Sequence, residues 1–178
     1  MSTMRGLLDR LRGRFGEEGV PFVVGGSVAL AARGVVRATQ DLDLMVMVKD
    51  LTPVHRAMTA AGMEWVNEVT FRDEGTGLFL DIIVVADEAQ RYAFEAATLE
   101  PIDGVDGIRV LTSGSCCVML LREATKGDPK RRPLRLRDIE ALSLVVGLDW
   151  DEIRSWAERM GYGAAYRDLR IDGKPPPP

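Results

Sequence analysis

Residues 25–48 read GGSVALAARGVVRATQDLDLMVMV: a glycine pair, a small-residue segment, then two aspartates one residue apart at the head of an aliphatic run. Side chains of an extended strand alternate between faces, so Asp41 and Asp43 point one way and Leu42, Leu44, Val46 and Val48 the other. The aliphatic set packs against a core, and the carboxylates are held side by side on a rigid element. Such carboxylates are hard oxygen ligands suited to Mg²⁺, with phosphates completing the coordination sphere.

The segment before this run supplies the phosphate side of the argument. Val20–Val24 reads as a buried strand and Ser27–Ala32 as a small-residue helix. A strand, glycines and then a helix gather unpaired backbone N–H groups and the positive end of a helix dipole at one spot. Gly25 and Gly26 lack a β-carbon, so a phosphate can approach the main chain there. Ser27 is placed to cap the helix or to donate its hydroxyl to a phosphate oxygen. A glycine turn of this kind usually serves packing alone. Its weight comes from the aspartate pair downstream.

A third carboxylate lies in Phe79–Val85, FLDIIVV, whose near-continuous apolar character predicts a central strand covered on both faces. Asp81, set among such neighbours, requires a cation or a hydrogen-bond partner. If this strand lies beside the Asp41/Asp43 strand, the three carboxylates can hold two divalent ions, which stabilise the attacking and leaving oxygens of an in-line displacement. Asp81 is then the natural group to deprotonate or orient an acceptor hydroxyl. The plainer reading is a strand-end aspartate paired with an arginine or capping a turn.

Gly25-Gly26-Ser27, Asp41-Leu42-Asp43-Leu44 and Asp81 within LDIIV together resemble the signature of the nucleotidyltransferase superfamily typified by DNA polymerase beta. The closer resemblance is to its small bacterial branch, which includes the abortive-infection type toxin nucleotidyltransferases. Arg37-Ala38-Thr39-Gln40 is similar to the Arg-x-Thr lead-in of that branch. The likeness covers residues 20–90 well and is looser beyond. It implies an α/β (α+β) fold with a mixed sheet flanked by helices. It also implies Mg²⁺ or Mn²⁺, and transfer of a nucleoside monophosphate from a nucleoside triphosphate such as ATP to an acceptor hydroxyl. Under it, Asp41, Asp43 and Asp81 are the catalytic and metal-holding residues. Gly25, Gly26, Ser27, Arg37, Thr39 and Lys126 bind the nucleotide. Toxin-type relatives show a helix ending in lysine, a basic loop and an aspartate opening the next helix, an order that Lys126 and Asp138 fit. A tRNA or protein acceptor and a cognate antitoxin are the partners this implies.

The 178 residues are expected to form a nucleotidyltransferase-like core over 1–111, helices over 112–171 packed on it, and a disordered Pro-rich tail over 172–178. A net charge of −4 provides no global basic field to draw in nucleic acid. Cys116 and Cys117, adjacent in an apolar stretch, do not make a disulfide framework and read as small buried hydrophobes in a reducing cytosol. There is no apolar signal region and no run of membrane-spanning length, so a cytoplasmic protein with no membrane partner is expected.

Helices are expected over residues 4–18, with Leu7, Leu8, Leu11 and Phe15 inward, and from Thr52-Pro53 to Gly62. Further helices are expected over Asp87–Ala97, after a Thr112 or Ser113 cap, and twice within 134–160, the second from Asp149. Asp73–Gly77 reads as a hairpin turn, and Ile108–Leu111 as a short strand after a turn at Asp103–Gly107. His55 and Trp65, Trp150 and Trp156 read as structural, core or core-edge residues.

Lys126, Lys130, Arg131, Arg132, Arg135 and Arg137 make a dense basic segment, either a solvated face or a receiver for triphosphate and a polyanionic acceptor. Two other functions compete. Antibiotic nucleotidylation calls for an acidic acceptor pocket. A non-catalytic nucleotide-binding partner protein would have little reason to keep three aspartates, because clustered carboxylates without metal repel one another.

Overall fold

Leu7, Leu8, Leu11 and Phe15 recur at helical spacing and are fully buried on one face of α1, Met4–Glu17, whose start is capped by Thr3 accepting from the Gly6 N–H at 3.2 Å. These positions come from a computed structural model of the chain, which describes residues 3–36, 41–171, 173–174 and 176. Arg37 and Thr39, and most of the proline tail, lie outside the described residues. The described residues divide into two compact units. The first draws on 3–28, 41–85 and 97–110, and the second on 29–36, 86–96 and 111–171.

The first unit holds a mixed sheet. Its strands are β1 Phe22–Val24, β2 Asp41–Val46, β3 Glu64–Trp65, β4 Thr70–Arg72, β5 Phe79–Val84, β6 Thr98–Ile102 and β7 Val105–Val110. They lie in the order β3-β4-β5-β2-β1-β7-β6, with β2–β5 and β1–β7 parallel and the other pairs antiparallel. The expected mixed α/β fold is therefore present.

Register follows from the aliphatic alternation, because a slip of one residue would turn every apolar side chain outward. Val24, Leu44 and Ile82 form one row across β1, β2 and β5, and Leu42, Leu80 and Phe71 the next across β2, β5 and β4. Helix α1 covers this face, with the Phe15 ring set edge-on to Phe22 at 5.0 Å. Beside it runs α3, Thr52–Ala60, burying Val54, Ala57 and Met58. Arg10 of α1 reaches the Ala61 carbonyl and the buried carboxylate of Asp73, 2.5 Å away. Asp73 also accepts from the Thr76 N–H and hydroxyl, which closes the expected turn before β5.

Several expectations are corrected. The β5 strand is not equally covered on both faces: Leu80 and Ile82 are buried, whereas Phe79, Asp81 and Ile83 are half-buried. Both side-chain sets are apolar apart from Asp81, so periodicity carries no sign of the difference. The turn after β6 is narrower than Asp103–Gly107. Asp103 and Gly104 take positive φ, 49° and 75°, as a two-residue hairpin requires, Ile102 pairs with Val105, and β7 begins at Val105. Strand β6 itself is an addition; Pro101 within it is tolerated because β6 is an edge strand. Trp65 is not a core residue but 54 % exposed, its ring edge-on to His55 at 4.3 Å.

The second unit is helical, with α4 Glu88–Ala96, α5 Ser113–Lys126, a 3₁₀ turn Pro129–Arg131, α6 Arg132–Val145, α7 Trp150–Arg159 and the unforeseen α8 Gly163–Arg167. Thr112 caps α5 by accepting from the Ser115 N–H, and Asp149 caps α7 by accepting from the Glu152 N–H. Cys116 and Cys117 are buried in α5, and burial pushes the Cys117 thiol pKa well above its ordinary value. The short helix α2, Gly26–Ala32, follows β1 directly. Among the described residues, no helix is long and apolar enough to cross a membrane.

Candidate active site

The parallel pairing of β2 with β5 decides the geometry. Asp43 and Asp81 are direct partners in that ladder, so their side chains stand next to each other on the same face. The antiparallel pairing of β4 with β5 puts Thr70 opposite Asp81 on the other side. At the end of β1 the Gly25 N–H donates to the Asp43 carbonyl at 2.9 Å, extending the ladder by one position. Gly25, Asp43, Asp81 and Thr70 thus form a single row across four strands. Asp41 lies two residues before Asp43 on that face, beside Phe79 and exposed.

Gly26 follows with φ +55°, a left-handed conformation that strains any residue bearing a β-carbon. The space beside it is also taken: a β-carbon there would sit 1.7 Å from Asp43 Oδ2. Gly26 therefore serves two purposes, turning the chain into α2 and letting the Asp43 carboxylate lie against the main chain. Ser27, next in line, is buried. Among the described residues, Asp81 has neither an arginine partner nor a turn to cap. Its Oδ1 accepts a 2.7 Å hydrogen bond from the Thr70 hydroxyl.

The donor set, three carboxylates on one face of adjacent strands, is chemically matched to a hard divalent cation. Asp43 and Asp81 are brought together. Among the described residues, though, no three acidic, histidine or cysteine side chains are gathered closely enough to form a finished metal cage.

Solved structures share this arrangement of strands and helices. The antibiotic-resistance factor ANT(2'')-Ia in solution superposes with a TM-score of 0.63 at 21 % identity, over 92 % of this chain and 96 % of its own. The crystal structure of ANT(2'')-Ia in complex with adenylyl-2''-tobramycin gives 0.60 at 18 % identity, over 90 % and 97 %. An antigenic nucleotidyltransferase-like protein from Paracoccidioides brasiliensis gives 0.56 at 14 % identity, over 98 % and 95 %. The fold is that of nucleotidyltransferases. No protein-family model and no curated protein sequence matches the chain.

The remaining candidates belong to the helical unit of this nucleotidyltransferase fold. Lys126, the last residue of α5, stands 3.7 Å from Asp87 Oδ2 and 5.4 Å from the centre of the Tyr162 ring. Arg122 binds the same Asp87 oxygen at 2.7 Å through Nε, and Asp87 Oδ1 accepts from the Gln90 N–H. Burial works to raise the Asp87 pKa, but the Gln90 N–H, Arg122 and Lys126 outweigh it and hold the carboxyl below its ordinary value.

The basic segment divides in the same way. Arg132 is tied to Asp168 at 2.5 Å and to the Ala124 carbonyl at 2.9 Å, while Lys130, Arg131 and Arg137 are exposed. Asp138 does not open a helix: it is buried in the interior of α6, which begins six positions earlier at Arg132-Pro133. Proline at the first helical positions is the sequence sign that marks this start. His55 is structural as expected, its Nε2 2.9 Å from the Glu68 carbonyl.

Thr70 is the residue that sequence reasoning missed. A threonine opening a short strand has no motif. It becomes meaningful only through the register that sets it opposite Asp81.

Proposed function

We propose that the protein is a divalent-metal-dependent nucleotidyltransferase that moves a nucleoside monophosphate from a nucleoside triphosphate to a hydroxyl of a small-molecule acceptor. The observation that carries this reading is the row of Gly25, Asp43 and Asp81, with the Asp43 carboxylate lying where a β-carbon of residue 26 would be. Asp41, Asp43 and Asp81 would hold Mg²⁺ or Mn²⁺, which supplies charge neutralisation at the phosphates. The Gly26 N–H and the Ser27 hydroxyl would donate to phosphate oxygens, while the Gly25 N–H stays on the Asp43 carbonyl. Asp81 takes the proton of the acceptor hydroxyl as the new P–O bond forms, and the bond to pyrophosphate breaks with its electron pair leaving on pyrophosphate. In such chemistry the protein mainly positions reactants and opposes developing charge.

Two observations support a small acceptor. The chain is similar, nearly end to end, to ANT(2'')-Ia, whose crystal structure holds adenylyl-2''-tobramycin. Two of the six basic residues of 126–137, Lys126 and Arg132, are also already engaged with Asp87 and Asp168. A second reading, a toxin that nucleotidylates tRNA or protein and is held by an antitoxin, is supported by the exposure of Lys130, Arg131 and Arg137.

Each labelled triphosphate, incubated with the protein and Mg²⁺, is to be offered a panel of aminoglycosides, total RNA and a cell lysate. Label on a small molecule supports the first reading, and label on RNA or protein alone supports the second. Label on none of them, with active ANT(2'')-Ia as the control, removes the enzymatic reading.

A further inference from the structure

We propose that Thr70 is a positioning residue that orients Asp81 by holding its Oδ1, so that the Asp81 carboxylate is presented to metal and acceptor in one fixed rotation. The inference rests on the nucleotidyltransferase reading above.

The geometry begins one turn earlier in the chain. Asn67 Oδ1 accepts from the N–H groups of Val69 and Thr70, at 3.0 and 2.9 Å. The Thr70 carbonyl in turn accepts from the N–H groups of Val66 and Asn67. The Val69 carbonyl accepts from the Ile82 N–H at 2.8 Å, which stitches this turn to β5 next to Asp81. Residue 70 is therefore fixed on both sides of its α-carbon before its side chain does anything. Its hydroxyl, held opposite Asp81 by the β4–β5 register, donates at 2.7 Å.

A carboxylate on a single side-chain bond turns readily, and one fixed donor removes that freedom. With Oδ1 holding the Thr70 hydroxyl, the rotation of the Asp81 carboxylate is fixed and Oδ2 is the oxygen with no protein donor to displace. The oxygen left over, Oδ2, carries no hydrogen bond among the described residues. Outer partners that orient a metal-binding or catalytic carboxylate commonly matter about 10- to 100-fold in affinity or activity.

The test compares Thr70→Val, Thr70→Ser and Thr70→Ala with wild type by Mn²⁺ titration followed by electron paramagnetic resonance, by steady-state transfer and by melting temperature. Val keeps the shape and loses the hydroxyl, whereas Ser keeps the hydroxyl and loses the methyl. If Thr70 positions Asp81, Thr70→Val weakens Mn²⁺ binding and lowers kcat by about tenfold or more, with KM for the triphosphate within about threefold. Thr70→Ser remains within about threefold of wild type on both readouts. If Thr70 only packs, the order reverses, with Ser impaired and Val normal, and the proposal fails. It fails as well if all three variants match wild type. Should Thr70→Val not fold, Ser against Ala isolates the same hydroxyl, and equal behaviour of those two overturns the proposal. A wild-type protein that neither binds Mn²⁺ nor transfers label fails the nucleotidyltransferase reading itself. That result differs from an active wild type indifferent to substitution at residue 70.

Discussion

The Asp43 carboxylate lies against the α-carbon of Gly26, so close that a β-carbon on residue 26 would stand 1.7 Å from Oδ2. Gly26 also has φ +55°. The two constraints are independent: one concerns the backbone of residue 26, the other the space needed by a side chain on the neighbouring strand.

Gly26→Ala is accordingly expected to act twice. The left-handed backbone costs about 1–2 kcal/mol of stability, measurable by urea denaturation. The displaced carboxylate lowers nucleotidyl transfer by about 100-fold or more, in line with losing one electrostatic group of an active site. A variant with wild-type turnover would mean that Asp43 does not need its observed position.

Asp43→Asn keeps the shape of the side chain while removing its charge. The melting temperature is expected to stay within about 2 °C, since the residue is half-buried and its backbone pairing with Gly25 and Asp81 is unchanged. Label transfer from radiolabelled triphosphate is expected to fall about 100-fold or more. Undiminished transfer would remove Asp43 from the reaction.

Arg10 and Asp73 offer a test of stability remote from catalysis. Asp73 is 3 % exposed and takes bonds from Arg10, the Thr76 N–H and the Thr76 hydroxyl. Arg10→Ala leaves that carboxylate with its charge uncompensated. Because Arg10 itself is partly exposed, the cost is expected near the lower end for a broken buried pair, about 2–3 kcal/mol in chemical denaturation.

Acid stability should depend on Asp87. Its pKa is lowered in the folded protein from an ordinary 3.8, because the Gln90 N–H, Arg122 and Lys126 outweigh the opposing effect of burial. A depressed folded value means that the unfolded chain binds the proton first, so stability declines as pH falls. The contribution of Asp87 is full above the unfolded value and disappears as pH drops through the folded one. The difference in unfolding free energy between wild type and Asp87→Asn should therefore be constant near neutrality and shrink below about pH 4. A difference that grows in acid would contradict the ion-pair assignment.

The two acceptor classes can be separated by charge reversal at Lys130, Arg131 and Arg137. A small-molecule acceptor leaves transfer within about threefold in the triple glutamate variant, as expected for substitutions of exposed side chains. An RNA acceptor loses affinity steeply and the salt dependence of binding weakens, because each lost cation no longer displaces a counterion.

Much of this arrangement is legible from local patterns. The paired aspartates, the glycine pair and the buried set of α1 rest on alternation, helical period and the missing β-carbon, each acting over a few residues. The caps at Thr112 and Asp149 are equally local, since a short polar side chain at a helix start meets orphan N–H groups within one turn. Asp138 shows where such reading fails. The resemblance implies a basic loop with Asp138 opening the next helix, yet Arg132-Pro133 starts the helix because proline fits the first turn, where its missing N–H has no bond to lose.

Sequence by itself determined that Asp41 and Asp43 share a strand face and that Asp81 sits inside an apolar run needing a partner. Tertiary structure decided who the neighbours are. The parallel registry of β2 with β5 put Asp81 beside Asp43, the antiparallel registry of β4 chose the Thr70 hydroxyl as its donor, and folding of the helical unit joined Lys126 to Asp87. Such pairings join segments distant along the chain, and they are selected by burial of whole apolar faces rather than by the polar residues they bring together.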